Sequence, residues 1–203
     1  ASTPLVTTEA GSTASFTVVL DAKPTANVTV SLTGADSTEH SLSASALTFT
    51  ASNWNTAQTI TITGIDDNLD DGDITTTITA TASNTGGYAG TETATATLKT
   101  SDDDTAGITI AQASTPLVTT EAGSTASFTV VLDAKPTDNV TVSITGADST
   151  EHQLSASALT FTASNWNTAQ TVTVTGVDDN LDDGDITTTI TATASNTGGY
   201  AGT

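Results

Sequence analysis

The sequence predicts an all-β chain of two tandem domains, and three observations carry that prediction. Apolar residues alternate with polar ones at period 2 through most of the chain, in stretches dominated by Thr, Val and Ile. No segment shows a competing helical spacing. One block of sequence occurs twice at an offset of 112 residues, so that Ala1-Ser2-Thr3-Pro4-Leu5-Val6 recurs as Ala113-Ser114-Thr115-Pro116-Leu117-Val118. Aligning residues 1–91 with 113–203 leaves six differences: Ala26/Asp138, Leu32/Ile144, Ser41/Gln153, Ile60/Val172, Ile62/Val174 and Ile65/Val177. Four of them exchange one aliphatic residue for another, as core positions permit. A repeat of this length is a whole domain rather than a solenoid unit. Domains are therefore expected over residues 1–104 and 105–203.

Taken in order, the first copy places Phe16, Val18 and Leu20 on one face of a strand, and Val28, Val30 and Leu32 on the next. Leu47 and Phe49 follow, then Ile60 and Ile62, then Ile74, Thr76 and Ile78, then Ala94, Ala96 and Leu98. In the second copy an opening strand is split between Gly107-Ile108-Thr109-Ile110 and Leu117-Val118. Gly-, Asn-, Asp- and Pro-rich breaks separate these runs. About seven short strands in each copy indicate an immunoglobulin-like β-sandwich.

The composition narrows the function. Three basic residues face 23 acidic ones, for a formal net charge of −20. Such a surface repels nucleic acid and anionic membranes and attracts cations. Cysteine is absent, which excludes disulfides, Cys-ligated zinc and thiol chemistry. Hydrophobic residues make up 35% of the chain but aromatics only 4%, so the core is thin and its stability is expected to draw on bound ions. No nucleophile motif, cofactor loop or acid–base pair outside the acidic cluster points to an enzyme. His40 and His152 read as exposed loop residues, and Trp54 and Trp166 as plugs at one end of each sandwich.

If successive strands run up and down, the acidic residues segregate. The turn Glu9-Ala10-Gly11, the loop Gly34–His40, the loop Asp66–Asp73 and the run Asp102-Asp103-Asp104 all fall at the end far from the first copy's N-terminus. That end holds 11 of the first copy's 13 acidic residues, leaving only Asp21 and Glu92 elsewhere. So many carboxylates need a counter-charge. Calcium suits them, because it takes 6–8 oxygen ligands with flexible geometry, whereas magnesium demands a stricter octahedron.

At this point the chain resembles the Calx-β family, first known from the sodium–calcium exchanger. The matching residues are Thr8-Glu9-Ala10-Gly11, Ser15-Phe16-Thr17-Val18-Val19-Leu20, Leu47-Thr48-Phe49 ahead of Asn53-Trp54, Gln58–Ile62 leading into Asp66-Asp67-Asn68-Leu69-Asp70-Asp71-Gly72-Asp73, and Asp102–Ile108. The resemblance covers essentially all of each copy. It implies a β-sandwich with Ca²⁺ at the far end, held by Glu9, Asp66, Asp67, Asp71, Asp102, Asp103 and Asp104. Family members often carry Glu shortly after the acidic loop, where this chain has Ile74 and Ile186. Either one ligand is lost, or Asp73 and Asp185 serve instead. The second copy repeats Glu121, Asp178, Asp179, Asp182, Asp183 and Asp185, without a closing Asp run.

The function expected from these residues is structural: a calcium-rigidified extender module of a bacterial surface adhesin, extracellular, whose partners are neighbouring copies of the same repeat. Its ions are expected at the joint formed with the linker Asp102–Gly107. A calcium-sensing regulatory pair is the alternative, although nearly identical loops argue against it. A second alternative is a filament subunit joined to an adjacent chain by strand exchange. It rests on the first copy's lacking a counterpart of Gly107–Ile110 and the second a counterpart of Thr93–Thr100.

Overall fold

The computed structural model describes residues 4–182 and 184–200. None of the described residues is helical. The chain divides into two compact units, Ala1–Asp67 with Asp71–Asp103, and Asn68–Asp70 with Asp104–Thr203. The boundary lies one residue before that expected, and three residues of the first copy's acidic loop belong with the second unit.

The first unit contains β1 (Leu5–Thr8), β2 (Thr13–Val18), β3 (Val28–Thr33), β4 (His40–Leu42), β5 (Ala46–Phe49), β6 (Gln58–Gly64), β7 (Ile74–Ala82) and β8 (Thr93–Ser101). They form a five-stranded sheet, β1-β8-β7-β3-β5, and a three-stranded sheet, β2-β6-β4. Period-2 alternation turns one side of each strand inward. Val28 and Val30 of β3, Phe49 of β5, Ile60 and Ile62 of β6, Ile78 of β7 and Leu98 of β8 are all buried in one cluster. That shared core makes the two sheets a sandwich, with the strand order of an immunoglobulin-like fold. The outward positions of β6 and β7 carry Thr59 and Thr61, and Thr75 and Thr77.

Strand β4 is a finding that periodicity missed. Three residues are too few to show an alternation, and His40 stood in an acidic loop. It pairs antiparallel with β6, His40 opposite Gly64. His40 is therefore not an exposed loop residue: it is 1% exposed, facing Thr100 and Thr76. Trp54 packs against the core as expected of a plug, its carbonyl accepting the Leu20 amide at 3.1 Å. The Tyr88 hydroxyl bridges a corner, donating to the Ala22 carbonyl at 2.9 Å and accepting its amide at 3.2 Å.

The second unit contains β9 (Ile108–Gln112), β10 (Thr125–Leu132), β11 (Val140–Thr145), β12 (His152–Leu154), β13 (Ala158–Phe161), β14 (Gln170–Gly176) and β15 (Thr191–Ala194). Its sheets run β12-β14-β10-β9 and β13-β11-β15 around a core of Phe128, Val130, Val142, Phe161 and Val172. The split opening strand is realised by halves. In the first unit β1 pairs parallel with β8; in the second β9 pairs antiparallel with β10. The expected strand at Leu117-Val118 does not form, and Val118 is exposed. His152 lies on β12 and is half-buried rather than exposed.

Candidate metal centre

The centre of interest in the first unit is assembled by backbone pairing. The parallel register of β1 with β8 brings Thr8 opposite Ser101, and the Glu9 amide then donates to the Ser101 carbonyl at 3.1 Å. Gly64, at the end of β6, lets the chain pass closely: a Cβ there would stand 2.0 Å from the Thr8 carbonyl oxygen. The β3–β4 loop is closed by His40 N–H to the Asp36 carbonyl at 3.0 Å, and Ile65 N–H donates to the Glu39 carbonyl at 2.8 Å. The β6–β7 loop is held by Gly72 N–H to Asp102 Oδ2 at 2.7 Å.

These restraints converge on carboxylates. Oxygens of Glu9, Glu39 and Asp71 all lie within 4.8 Å of one another. Glu9 is 2% exposed and Glu39 4%. The Thr38 hydroxyl donates to Glu39 Oε1 at 3.3 Å, but Oε2 of Glu39 and Oε2 of Glu9 are buried with no hydrogen-bond partner. Two buried, unpartnered carboxylate oxygens beside a third carboxylate are costly unless a cation or proton joins them.

The electrostatics agree. Burial pushes Glu9 up to about 7, and the charges of Asp102, Asp67, Glu39 and Asp71 push it the same way. Burial also raises Glu39, followed by the charge of Asp71, with the Thr38 hydrogen bond opposing. Beneath them the His40 ring is held below its ordinary value by burial, so it supplies no positive charge near neutrality. Its Nδ1 and Nε2 lie 3.4 Å from the Thr100 and Thr76 hydroxyls. The donor set is all oxygen, and a hard, oxygen-seeking divalent ion fits it.

Of the residues expected from sequence, Glu9 and Asp71 thus meet, a carboxylate oxygen of Asp102 also lies within 4.8 Å of one of Glu9, and Asp67 is close enough to raise Glu9 by its charge. Asp66 and Asp103 are exposed. Asp73 turns to Lys99, forming an ion pair, and accepts the Asp102 amide at 3.2 Å. Asp104 belongs to the second unit, as does Asp70, which accepts the Ala106 amide at 2.7 Å. Glu39 was counted among the acids of this end but not among the expected ligands, and the available signal was its position immediately ahead of the His40–Leu42 strand.

The second copy arranges the same residue types differently. Glu121, Asp178 and Asp185 are exposed, Asp179 and Glu151 are half-buried, and Asp183 lies outside the described residues. Residues 117–120 are not in a strand, and Glu121 is exposed where Glu9 is buried.

No family model matches the chain, and no curated protein matches it significantly. Similar solved structures include CBD12 from CALX1.2, 17% identical over 93% of this chain and 76% of that one, TM-score 0.37. The calcium binding domain CBD12 of CALX1.1 is 18% identical over 84% and 70%, TM-score 0.37. The Escherichia coli chaperone DraB is 8% identical over 98% and 90%, TM-score 0.35. Likeness at this level assigns no function to the chain.

Proposed function

We propose that this chain is a calcium-binding structural module, an extender segment of a large bacterial cell-surface adhesin that holds a distal adhesive domain away from the cell. One observation carries the calcium reading: Oε2 of Glu9 and Oε2 of Glu39 are both buried without a partner and share their site with Asp71. A divalent cation would satisfy both oxygens and offset the repulsion among Glu9, Asp67, Asp71 and Asp102. The absence of nitrogen and sulfur donors favours calcium over zinc or copper. The extender role is supported by the near identity of the two copies and by the threonines, Thr59, Thr61, Thr75 and Thr77 among them, that cover outward strand positions.

Calcium bound only by the folded state stabilises it by mass action, and extracellular modules commonly bind with Kd of ~10⁻⁴–10⁻³ M. The test is calorimetric titration together with thermal unfolding, in millimolar calcium, in millimolar magnesium and in chelator. A calcium-specific rise in Tm that is lost in both Glu9→Gln and Glu39→Gln is the expected result. Indistinguishable unfolding curves in calcium and chelator would overturn the reading.

A further inference from the structure

The first unit keeps its buried polar groups together. Among the described residues, those that are both buried and polar or charged are Thr7, Glu9, Glu39, His40 and Thr100, all of them in this unit. The rest of its core is Leu, Val, Ile, Phe and Ala. Glu9 and Glu39 belong to the metal centre. Thr7, His40 and Thr100 need a separate reason to be buried, because enclosing polar groups carries a cost that apolar side chains of the same shape avoid.

These three side chains and Thr76 form a polar chain across the sandwich. Thr7 of β1 stands opposite Thr100 of β8 in the parallel register, and their hydroxyls are 3.3 Å apart. The Thr100 hydroxyl lies 3.4 Å from Nδ1 of His40, and the hydroxyl of Thr76, on β7, lies 3.4 Å from Nε2. A neutral imidazole has one donor and one acceptor nitrogen, and a hydroxyl can meet either, so both nitrogens are satisfied. Thr7, Thr76 and Thr100 belong to the five-stranded sheet, whereas His40, on β4, belongs to the three-stranded one. The ring is thus a directional tie between two sheets whose shared core is otherwise apolar, and apolar contacts have no preferred direction.

The two ends of this tie carry the two buried carboxylates. Glu9 follows Thr7 by two residues, and its amide is anchored on the Ser101 carbonyl, next to Thr100. Glu39 directly precedes His40, and its carbonyl accepts the Ile65 amide beside the pairing of His40 with Gly64. We propose that His40 is a positioning residue of the calcium centre: held by Thr100 and Thr76, it fixes β4 against the five-stranded sheet and so sets the separation of the Glu9 and Glu39 carboxylates. Its ring nitrogens face threonines, so it acts through the backbone and not as a ligand. The proposal rests on the calcium reading above and adds a source of selectivity to it. Calcium accepts longer bonds and flexible geometry, whereas magnesium requires its oxygens closer and in a strict octahedron. Carboxylates tied at a fixed separation cannot close in on the smaller ion.

The test is calorimetric titration of the full chain with calcium and with magnesium, alongside its Tm in chelator. Thr100→Val removes the hydroxyl and keeps the shape, Thr100→Ser keeps the hydroxyl, and His40→Leu combined with Thr100→Val replaces the tie by apolar groups. Thr100→Val and the paired variant are expected to bind calcium about tenfold more weakly, with magnesium affinity changed less, while Thr100→Ser binds both ions as the wild type does. The paired variant is expected to melt in chelator no lower than the wild type, which separates lost ion geometry from lost folding. Should the pair not fold, the comparison of Thr100→Val with Thr100→Ser decides. Unchanged calcium affinity in the folded variants would overturn the proposal. So would equal weakening by Thr100→Ser and Thr100→Val, which would assign the effect to shape, and so would an equal fall in affinity for both ions. A wild type that binds no calcium would instead overturn the calcium reading itself, and this proposal with it.

Discussion

Replacing Glu9 by Gln separates the two reasons a carboxylate can be buried. In the chelated protein the Glu9 carboxyl titrates at about 7, against the ordinary 4.5 that an unfolded chain retains. The folded state therefore binds its proton more tightly. The associated stability is fully present below about pH 4.5 and is lost as pH rises through 7. At full strength that interval corresponds to roughly 3 kcal/mol. Solvent reaching the surrounding loops screens it, so about 1–2 kcal/mol is the working figure. For a domain of this size each kcal/mol moves Tm by about 4–8 °C. Glu9→Gln, which cannot ionise, is thus expected to raise the Tm of the first unit by about 5–10 °C at pH 8 in chelator, and by no more than about 2 °C at pH 5. In millimolar calcium the ranking reverses, because the wild type gains binding energy that the variant lacks. Differential scanning calorimetry at both pH values, with and without calcium, reads all four numbers. An increase in Tm that is equal at pH 5 and pH 8 would refute the charge argument. An increase that persists undiminished in calcium would refute the role of Glu9 as a ligand.

Other outcomes follow from the same geometry. Glu39→Gln is expected to abolish the calcium-dependent rise in Tm, whereas Glu121→Gln, at an exposed position, is expected to leave it unchanged; both are read by thermal melting. Calcium affinity measured calorimetrically is expected to increase between pH 6 and pH 8, since binding must displace a proton held by Glu9 up to about 7. Gly64→Ala is expected to cost more than about 2 kcal/mol in denaturant unfolding, because its Cβ would collide with the Thr8 carbonyl and push the chain leading to Glu9 off β6. Lys99→Ala removes a half-exposed ion pair with Asp73 and is expected to change stability by less than about 1 kcal/mol, measured the same way.

How far the sequence foretold these results follows from which forces act locally. Phe16, Val30, Ile62 and Ile78 announced their strands, because burial of one face imposes period 2 on any half-buried sheet. The Glu9 turn and the Asp66–Asp73 loop were recognisable as acid-bearing segments of one end. The loop holding Glu39 and His40 was placed at the same end, but the burial of these two residues was not foreseen, since it depends on β4, a three-residue strand paired with β6. Asp73 was legible as an acid but not as the partner of Lys99, a residue 26 positions later brought opposite it by the β7–β8 register. Leu117-Val118 shows the other limit. Its counterpart in the first copy, Leu5-Val6, forms β1 against β8, so identical local sequence is strand in one unit and outside any strand in the other.

The ion pair of Lys99 with Asp73 has a consequence for cleavage. The chain has three lysines and no arginine, and Lys23 and Lys135 each precede proline, a bond that a trypsin-like protease does not cut. The remaining bond follows Lys99, inside β8, which is clasped between β1 and β7. An extended strand must leave its sheet before a protease can grip it, so cutting there waits for β8 to peel away from both neighbours. The product would carry Asp102 away from the body that holds Glu9. Digestion at this single bond is thus a clock for the opening of the first unit, and a bound ion that ties Asp102 to Glu9 would slow it.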